Sequence, residues 1–282
     1  MSNWNYLEAQ QWAADYLQHE GKDPNAPEFL LKMLHGWDTT ALLLHHRDPM
    51  PEDEQHRFRR AIKRVAEDEP VQYIVGKSPF FGRTFVISPD VLIPEPETED
   101  LVEWVLDKMP ADSPLKVLDL GTGSGVIGIT LALERPQWQV TLSDISAAAL
   151  RVAQANQRLH GTNLAVVESD LFSSMEDQQF DLIVTNPPYV STAAIAQMDQ
   201  SVLQYEPPLA LFASENGLGF YHRLFAQAAN HLTDGGQLFG ETGYDQEVTI
   251  QNLFKRLNPH AEIETRHDEA DKMRMIRAWN FR

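Results

Sequence analysis

The sequence of 282 residues contains no cysteine, so disulfide bonds, thiolate metal ligands and cysteine nucleophiles are excluded. It has no apolar run near the roughly 18 residues of a membrane span. The start, Met1 to Tyr6, lacks the basic-then-apolar pattern of a secretory signal, which predicts a cytoplasmic location without membrane contact. Basic side chains are scarce, with 23 Lys and Arg against 41 Asp and Glu. Because phosphate backbones are bound mainly by clustered basic side chains, no direct nucleic-acid partner is expected.

What is present is the composition of a globular protein, with 43% hydrophobic and 9% aromatic residues. At about 150 residues per domain, the length predicts two domains or one large one. The formal charge of −18 is spread unevenly, since residues 91–282 hold 27 acidic and 13 basic side chains. The second part of the chain therefore carries most of the acidity.

Residues 1–70 have the apolar spacing of amphipathic helices. One stripe, at i, i+3, i+4, i+7 and i+8, consists of Ala9, Trp12, Ala13, Tyr16 and Leu17. Pro27 and the acidic residues 52–54 indicate the first turns of two further helices. We therefore expect a small helical bundle over residues 1–70. As a separate expectation, this bundle would dock the substrate rather than react. Residues 71–90 are rich in β-branched and aromatic side chains interrupted by glycine, which predicts a β-hairpin linker.

Residues 91–282 alternate between short apolar strands and helices after Pro114. The strands are expected near 116–120, 139–143, 164–168, 180–185 and 236–241, and the helices near 125–134, 146–160, 217–232 and 244–256. This alternation predicts an α/β fold with a doubly wound, mostly parallel sheet. The last two strand candidates, 261–265 and 273–279, are typical of an antiparallel pair that closes such a sheet.

A glycine-rich loop follows the first of these strands. The sequence from Val117 to Gly128, VLDLGTGSGVIG, passes from a strand through closely spaced glycines into a helix. The backbone can approach a ligand there, and a helix N-terminus faces it. Asp144 ends the next strand, about twenty residues further on, where a carboxylate can accept from both ribose hydroxyls of a nucleoside. The same spacing also satisfies the dinucleotide fingerprint, so the loop alone does not decide the cofactor.

A second motif, Asn186-Pro187-Pro188-Tyr189, comes directly after the strand at 180–185. Ligands of doubly wound sheets bind beyond the carboxyl ends of the strands, so this turn should face the same crevice as the glycine loop. Two prolines remove two backbone donors and stiffen the turn. An amide side chain, free carbonyl groups and an aromatic ring then remain beside the cofactor. Such a site can accept hydrogen bonds from an NH2 group and cover a planar group.

Together these motifs resemble class I S-adenosylmethionine-dependent methyltransferases, and within them the bacterial release factor glutamine methyltransferase family. The resemblance covers nearly the whole chain. It includes the segments at 72–76, 80–82, 92–94, 96–99, 243–246 and 271–274. It implies a Rossmann-like class I methyltransferase domain over residues 91–282, with S-adenosylmethionine as cofactor and peptide chain release factors as partners. The implied reaction methylates the side-chain nitrogen of the glutamine in their Gly-Gly-Gln motif.

The resemblance also implies roles for individual residues. The methionine part of the cofactor would be cradled by Gly121, Thr122, Gly123, Ser124 and Gly125. Asp144 would hold the ribose, and the adenine would be flanked by Asp170, Leu171 and Phe172. Catalysis would rest on Asn186, Pro187 and Tyr189, with Pro188 completing the substrate-binding turn and Asn186 also next to the cofactor.

Position 95 departs from the family, because Glu95 stands where a basic residue is usual. No contact can be assigned to that side chain by resemblance. Three other functions stay open at this point: N-methylation of an exocyclic base amine in DNA or RNA, a nicotinamide-dependent oxidoreductase, and a binding module without catalysis. The ten histidines show no metal-ligand spacing, so no metal is expected.

Overall fold

The computed structural model describes residues 4–268 and 270–281. Its helices are α1 (Tyr6–His19), α2 (Ala26–His35), α3 (Thr39–His45), α4 (Glu52–Ala66), α5 (Val71–Val75), α6 (Pro96–Lys108), α7 (Val126–Glu134), α8 (Ala147–His160), α9 (Gln200–Tyr205), α10 (Pro208–Leu211), α11 (Gly219–His231) and α12 (Glu247–Leu257). Its strands are β1 (Lys77–Phe80), β2 (Arg83–Val86), β3 (Lys116–Leu120), β4 (Gln139–Asp144), β5 (Ala165–Glu168), β6 (Phe180–Thr185), β7 (Val190–Ser191), β8 (Phe212–Ala213), β9 (Leu232–Glu241), β10 (Glu262–His267) and β11 (Met273–Trp279).

The chain divides into two compact units. The first comprises Met1–Ser78 and Asp199–Tyr205, and the second comprises Pro79–Met198 and Glu206–Arg282. The sequence did not indicate that α9 would join the first unit. There, the Tyr205 hydroxyl donates to the carbonyl of Glu67 at 3.0 Å. The docking and catalytic roles expected for the two parts stay predictions.

The first unit is a helical bundle, as its apolar spacing predicts. Helix α1 begins with a capping box, in which the Asn5 side chain accepts from the backbone of Glu8 and the Glu8 carboxylate accepts from the backbone of Asn5. One apolar face of each helix packs into a common core that contains Leu17, Leu30 and Phe58, all without solvent exposure. Burial of these faces stabilises helices that would be marginal alone.

The linker is only partly the hairpin that the sequence predicts. Val71–Val75 forms the one-turn helix α5 rather than a strand. Gly76 ends it in the left-handed conformation, with φ of 72°, and donates its N–H to the carbonyl of Gln72. The β-branched residues of this short segment are therefore helical, because the helix cap at Gly76 outweighs their strand propensity. The hairpin itself is shorter and consists of β1 and β2.

The second unit contains a sheet with the strand order β10-β11-β9-β6-β3-β4-β5. Strand β11 runs antiparallel to both of its neighbours, and the pairs among β9, β6, β3, β4 and β5 are parallel. From β3 the chain moves outward through β4 to β5 and then returns to the other side of β3 as β6. The α/β fold with an antiparallel closing strand is therefore confirmed, and its switch point lies between β3 and β6.

Helices cover both faces of this sheet. Successive side chains of β6 alternate between two apolar cores, with Leu182 and Val184 in one and Ile183 in the other. The first core also contains residues of α6, α7 and α8, and the second contains residues of α11 and α12. Burial on both faces explains why the central strands read as nearly continuous apolar runs. Among the described residues, no helix has the length and apolar composition to cross a bilayer.

Candidate active site

The glycine loop lies at the switch point of the sheet, beyond the carboxyl end of β3. The backbone N–H groups of Gly121 and Thr122 both donate to the carbonyl of Ser143 on β4, at 2.8 and 2.9 Å. Gly121, Gly123 and Gly125 all have positive φ angles. These bonds hold the loop against the end of the neighbouring strand, where its backbone faces the crevice.

Asp119, one residue before the end of β3, holds this loop in place through two hydrogen bonds. Its Oδ2 accepts from the Thr122 hydroxyl at 2.5 Å and from the backbone N–H of Gly128 at 2.8 Å. Complete burial raises the pKa of the carboxyl to about 7, although both bonds favour the ionised form. A Cβ at Gly128 would lie 2.8 Å from the same oxygen and closer still to Leu142, so only glycine fits there. No role for Asp119 was predicted from the sequence.

Asp144 meets the loop from the end of β4. Its Oδ2 accepts from the backbone N–H of Gly123 at 2.9 Å, and its Oδ1 accepts from that of Ser146 at 2.8 Å. Burial raises the pKa of this carboxyl, while these backbone donors lower it. Each oxygen has accepted one side-chain-to-backbone bond and retains lone-pair capacity for a ligand hydroxyl.

A cavity of about 320 Å³ opens beside these groups. Its lining includes predicted site residues, namely Gly121, Gly123, Asp144, Asp170, Leu171, Asn186 and Pro188. Further wall residues come from segments 90–92, 207–214 and 219–223, to which the sequence analysis gave no role. The lining does not include Thr122, Ser124, Gly125, Phe172, Pro187 and Tyr189.

The absence of Phe172 from the lining has a packing reason. Its ring is buried in the second core and stacks on His231, with ring centroids 4.0 Å apart. The sequence could not distinguish this orientation from one that faces the adenine. Thr122 is directed instead to Asp119, and the carbonyl of Ser124 accepts from Asn156. These residues shape the loop from behind.

The Asn186 turn is held by a buried hydrogen-bond chain. Asn186 Nδ2 donates to the Thr98 hydroxyl at 3.0 Å, and this hydroxyl donates to Glu241 Oε2 at 2.7 Å. The Tyr189 hydroxyl donates to Glu241 Oε1 at 3.1 Å. Gln246 Nε2 donates to the Tyr189 carbonyl at 2.9 Å, which fixes the other end of the turn.

Glu241, like Thr98 and Asp119, belongs to this site but was not predicted from the sequence. It ends β9, which runs parallel to β6, and the pairing of Gly240 with Thr185 brings Glu241 level with Asn186. Burial raises the pKa of its carboxyl to about 7, the bonds from Thr98 and Tyr189 lower it, and nearby Glu95 raises it. A charged residue at the end of the apolar stretch Leu238 to Gly240 was the available signal.

More carboxylates lie close to this chain of bonds. Glu95, exposed at the start of α6, contributes to the raised pKa values of Glu206, Tyr189 and Glu241. Burial raises the pKa of the Glu206 carboxyl to about 7. Desolvation and the charge of Glu97 raise the pKa of Glu95, and Arg274 on β11, which lies 3.4 Å from Glu97, partly offsets this rise. Where the family usually has a basic residue, this chain therefore has an additional negative charge near the turn.

No cluster of three or more histidine or acidic side chains in the described parts of the chain is arranged to hold a metal ion. The groups at the carboxyl ends of β3, β4, β6 and β9 are instead loop backbone, carboxylates, amide and phenol. This arrangement can bind a nucleoside through Asp144 and hold a small planar amide or amine at Asn186.

Two family models match the chain. Residues 8–76 match the PrmC N-terminal domain, and residues 100–204 match the methyltransferase small domain. Curated relatives are similar over almost the whole length. The release factor glutamine methyltransferase of Lactococcus lactis is 41% identical over 90% of this chain and 94% of its own. That of Bacillus subtilis is 39% identical over 96% of both chains, and that of Enterococcus faecalis 36% over 93% and 95%.

Solved structures share the fold at low sequence identity. The hMettl16 catalytic domain, solved with an RNA hairpin, aligns over 82% of each chain with a TM-score of 0.56 and 18% identity. The Thermus thermophilus 16S rRNA N2 G1207 methyltransferase, solved with AdoMet and guanosine, aligns over 72% of this chain and 49% of its own. Its TM-score is 0.53 at 18% identity. These similarities support the class I methyltransferase fold.

Proposed function

The chain belongs to the release factor glutamine methyltransferase family, and on this premise we propose that it methylates peptide chain release factors. The methyl group would pass from S-adenosylmethionine to the side-chain amide nitrogen of the glutamine in their Gly-Gly-Gln motif. The observation that carries the proposal is that Asn186 lines the same cavity as the glycine loop and Asp144. Such a substrate implies the cytoplasmic location that the sequence predicts.

The residues at the cavity fit S-adenosylmethionine. Asp144 has both oxygens oriented by backbone donors, which suits two vicinal ribose hydroxyls. Gly121 and Gly123 bring bare backbone to the wall where the methionine part would lie, and Asp170 with Leu171 form the wall on the adenine side. When bound, this cofactor supplies an electrophilic methyl group on a positively charged sulfur.

The task of the turn is to prepare a poor nucleophile. An amide lone pair is delocalised into its carbonyl group, by the resonance that flattens a peptide bond. The Asn186 oxygen and the Pro187 carbonyl would each accept one N–H of the substrate amide and so fix its nitrogen. The ring of Tyr189 would cover the flat face. Burial and the charge of Glu241 raise the pKa of the Tyr189 hydroxyl, so it stays a neutral donor.

Positioning is the main catalytic contribution that these residues can make. Bringing reacting atoms to about 3 Å in the right orientation can supply about 7 kcal/mol or more of the barrier reduction. The leaving group is a neutral thioether, so it needs no protonation. None of the roles given to these residues requires a thiolate, which agrees with a chain that has no cysteine.

We assign the docking of the release factor to the helical first unit. Its surface exposes large apolar side chains on α2 and α3, with Leu34, Leu43 and Leu44 exposed by 45%, 60% and 77%. Several exposed apolar side chains on neighbouring helices suit contact with a protein partner. The substrate would then be bound by more than the few residues around its glutamine.

Transfer of a labelled methyl group tests this function. The purified chain is incubated with labelled S-adenosylmethionine and, separately, a release factor, the same factor with its Gly-Gly-Gln glutamine changed to alanine, duplex DNA and ribosomal RNA. We expect label only in the unaltered release factor. Label in DNA or RNA but not in protein would overturn the proposal in favour of base-amine methylation.

A further inference from the structure

The orientation of the Asn186 side chain decides whether the proposed site can work. A primary amide has an oxygen that accepts hydrogen bonds and an NH2 group that donates them. The substrate amide presents N–H groups, so it can be held only by the Asn186 oxygen. A rotation of the asparagine amide by half a turn would place two donors against two donors. Something in the protein must therefore fix the amide in one of its two orientations.

The neighbouring bonds allow one orientation when Glu241 is ionised. An ionised carboxylate only accepts, so the single hydrogen of the Thr98 hydroxyl points to Glu241 Oε2, 2.7 Å away. The hydroxyl then offers only lone pairs on its other side. The Asn186 group 3.0 Å from it must be the NH2 group, and the oxygen is left for a ligand.

We propose that Thr98 and Glu241 are positioning residues, which hold Asn186 with its amide oxygen presented to the substrate glutamine. The inference deepens the proposed function and rests on it. Thr98 is 3% exposed and Glu241 is 1% exposed, so both partners are shielded from bulk water. Glu241 also accepts from Tyr189, so one carboxylate holds both side chains of the turn.

Protonation of Glu241 would reverse the direction of the hydrogen bonds that run from Asn186 through Thr98 to Glu241. A proton on Oε2 would be donated to the Thr98 hydroxyl, which would then donate its own hydrogen to the Asn186 oxygen. The NH2 group of Asn186 would face the substrate, and the glutamine amide would lose its acceptor. Turnover should therefore fall as the pH drops through the pKa of Glu241.

Several charged or titratable groups set that pKa. Glu95 and Glu97 act on Glu241 from the start of α6, and Tyr189 from the turn. Tyr221 on α11 donates to the backbone carbonyl of Glu241, and Arg274 on β11 offsets the charge of Glu97. The charges of Glu95 and Glu97 favour the neutral carboxyl of Glu241 and thus the reversed direction of these hydrogen bonds. Their effect adds to that of burial.

The decisive variants at Thr98 are Thr98→Val, which keeps the shape and removes the hydroxyl, and Thr98→Ser, which keeps the hydroxyl. For Thr98→Val we expect kcat with the release factor to fall about 100-fold, since small misplacements of a reacting group cost this much. Thr98→Ser should stay within about threefold of the wild type. Affinity for S-adenosylmethionine, measured by calorimetry, should change less than about twofold in both variants.

Equal kcat of Thr98→Val and the wild type would overturn the inference, and so would equal impairment of Thr98→Val and Thr98→Ser. A wild type that does not methylate the release factor would overturn the proposed function as well. These failures are therefore distinguishable.

Glu241→Gln provides a second test if Thr98→Val does not fold. Glutamine does not titrate, so the fall of kcat/KM between pH 8 and pH 6, about tenfold for a carboxyl of pKa 7, should disappear. The wild type and Glu241→Gln are assayed at each pH with the same concentrations of release factor and cofactor. An unchanged acid limb in Glu241→Gln would contradict the assignment of Glu241.

Discussion

The two units of this chain differ in whether their acidic side chains are buried. In the second unit, Asp119 and Glu241 are fully buried and have carboxyl pKa values raised to about 7. In the described part of the first unit, the charged groups lie near the surface, as in the pair of Lys22 with Asp68 and that of His35 with Glu54. Buried carboxyls cost stability, so a fold retains them chiefly where they act.

The first unit contains an aromatic cluster, whereas the second unit contains buried acidic side chains. Trp37 is stacked between His35 and His45, with centroid distances of 3.9 and 4.4 Å, and Tyr6 meets it edge-on. Such contacts stabilise a small helical bundle, but they do not form a cavity with polar groups for catalysis. The difference agrees with our proposal that the second unit performs the reaction and that the first unit serves recognition. Four predictions test this division, beginning with the largest effect.

Asn186→Ala should lower kcat about 1,000-fold, because loss of one preorganised hydrogen-bonding group at a reacting centre costs up to this much. Affinity for S-adenosylmethionine should change less than about threefold, since Asp144 and the glycine loop remain. Single-turnover methyl transfer and calorimetry measure the two quantities. Near-normal transfer by this variant would refute the proposed grip on the substrate amide.

Asp144→Ala should weaken S-adenosylmethionine binding about 100-fold, as expected for the loss of two charge-assisted hydrogen bonds. Glu168→Ala is the matched control, because Glu168 pairs with Asp144 across β4 and β5 but has an exposed side chain and does not line the cavity. Calorimetric titration should show little change for the control. Equal weakening in both variants would point to general disturbance of the strand ends.

The raised pKa of Glu241 also predicts how stability depends on pH. Its folded-state pKa, about 7, exceeds the ordinary glutamate pKa of 4.5, so the folded state binds more protons between these values. Stability from this group is therefore present below about pH 4.5 and is lost as the pH rises to about 7.

The free energy of unfolding of the wild type should fall by about 2 kcal/mol relative to Glu241→Gln between pH 5 and pH 8. Denaturant unfolding of both proteins at the two pH values measures this difference. A constant difference would show that the carboxyl does not titrate in this range. Activity and stability of the wild type thus respond to pH in opposite directions.

Leu44→Glu should raise KM for the release factor about fivefold and leave kcat unchanged, as for one side chain of an interface worth about 1 kcal/mol. Val248→Glu is the control, since Val248 is 70% exposed in the second unit and Leu44 is 77% exposed in the first. Steady-state kinetics with intact release factor separates the two. A larger effect of Val248→Glu would assign recognition to the second unit.

Local sequence signals predicted most of the fold. The alternation of apolar strands and helices gave β3, β4, β5 and β6 nearly at their observed bounds, because buried parallel strands and glycine loops leave strong local patterns. The strand prediction for Val71–Val75 is wrong, because β-branched residues favour strands whereas Gly76 caps a helical turn there. Local propensity yielded there to a helix cap.

The site was predictable only where a motif is continuous in the chain. Asp144 and Asn186 follow strands directly, whereas Thr98 on α6 and Glu241 on β9 are 143 positions apart and meet only because α6 packs against the sheet. The ring of Phe172 stacks on His231 although its neighbour Leu171 lines the cavity, and adjacency in sequence does not fix such a direction. Contacts of this kind depend on packing and leave no short-range pattern.

The most direct test of the central claim is tandem mass spectrometry of a release factor after incubation with the purified chain and S-adenosylmethionine. The proposed function predicts one added methyl group on the side-chain nitrogen of the Gly-Gly-Gln glutamine, and far less of it when Asn186→Ala replaces the wild type for the same time. A methyl group on another residue of the factor, or equal modification by Asn186→Ala, would contradict it.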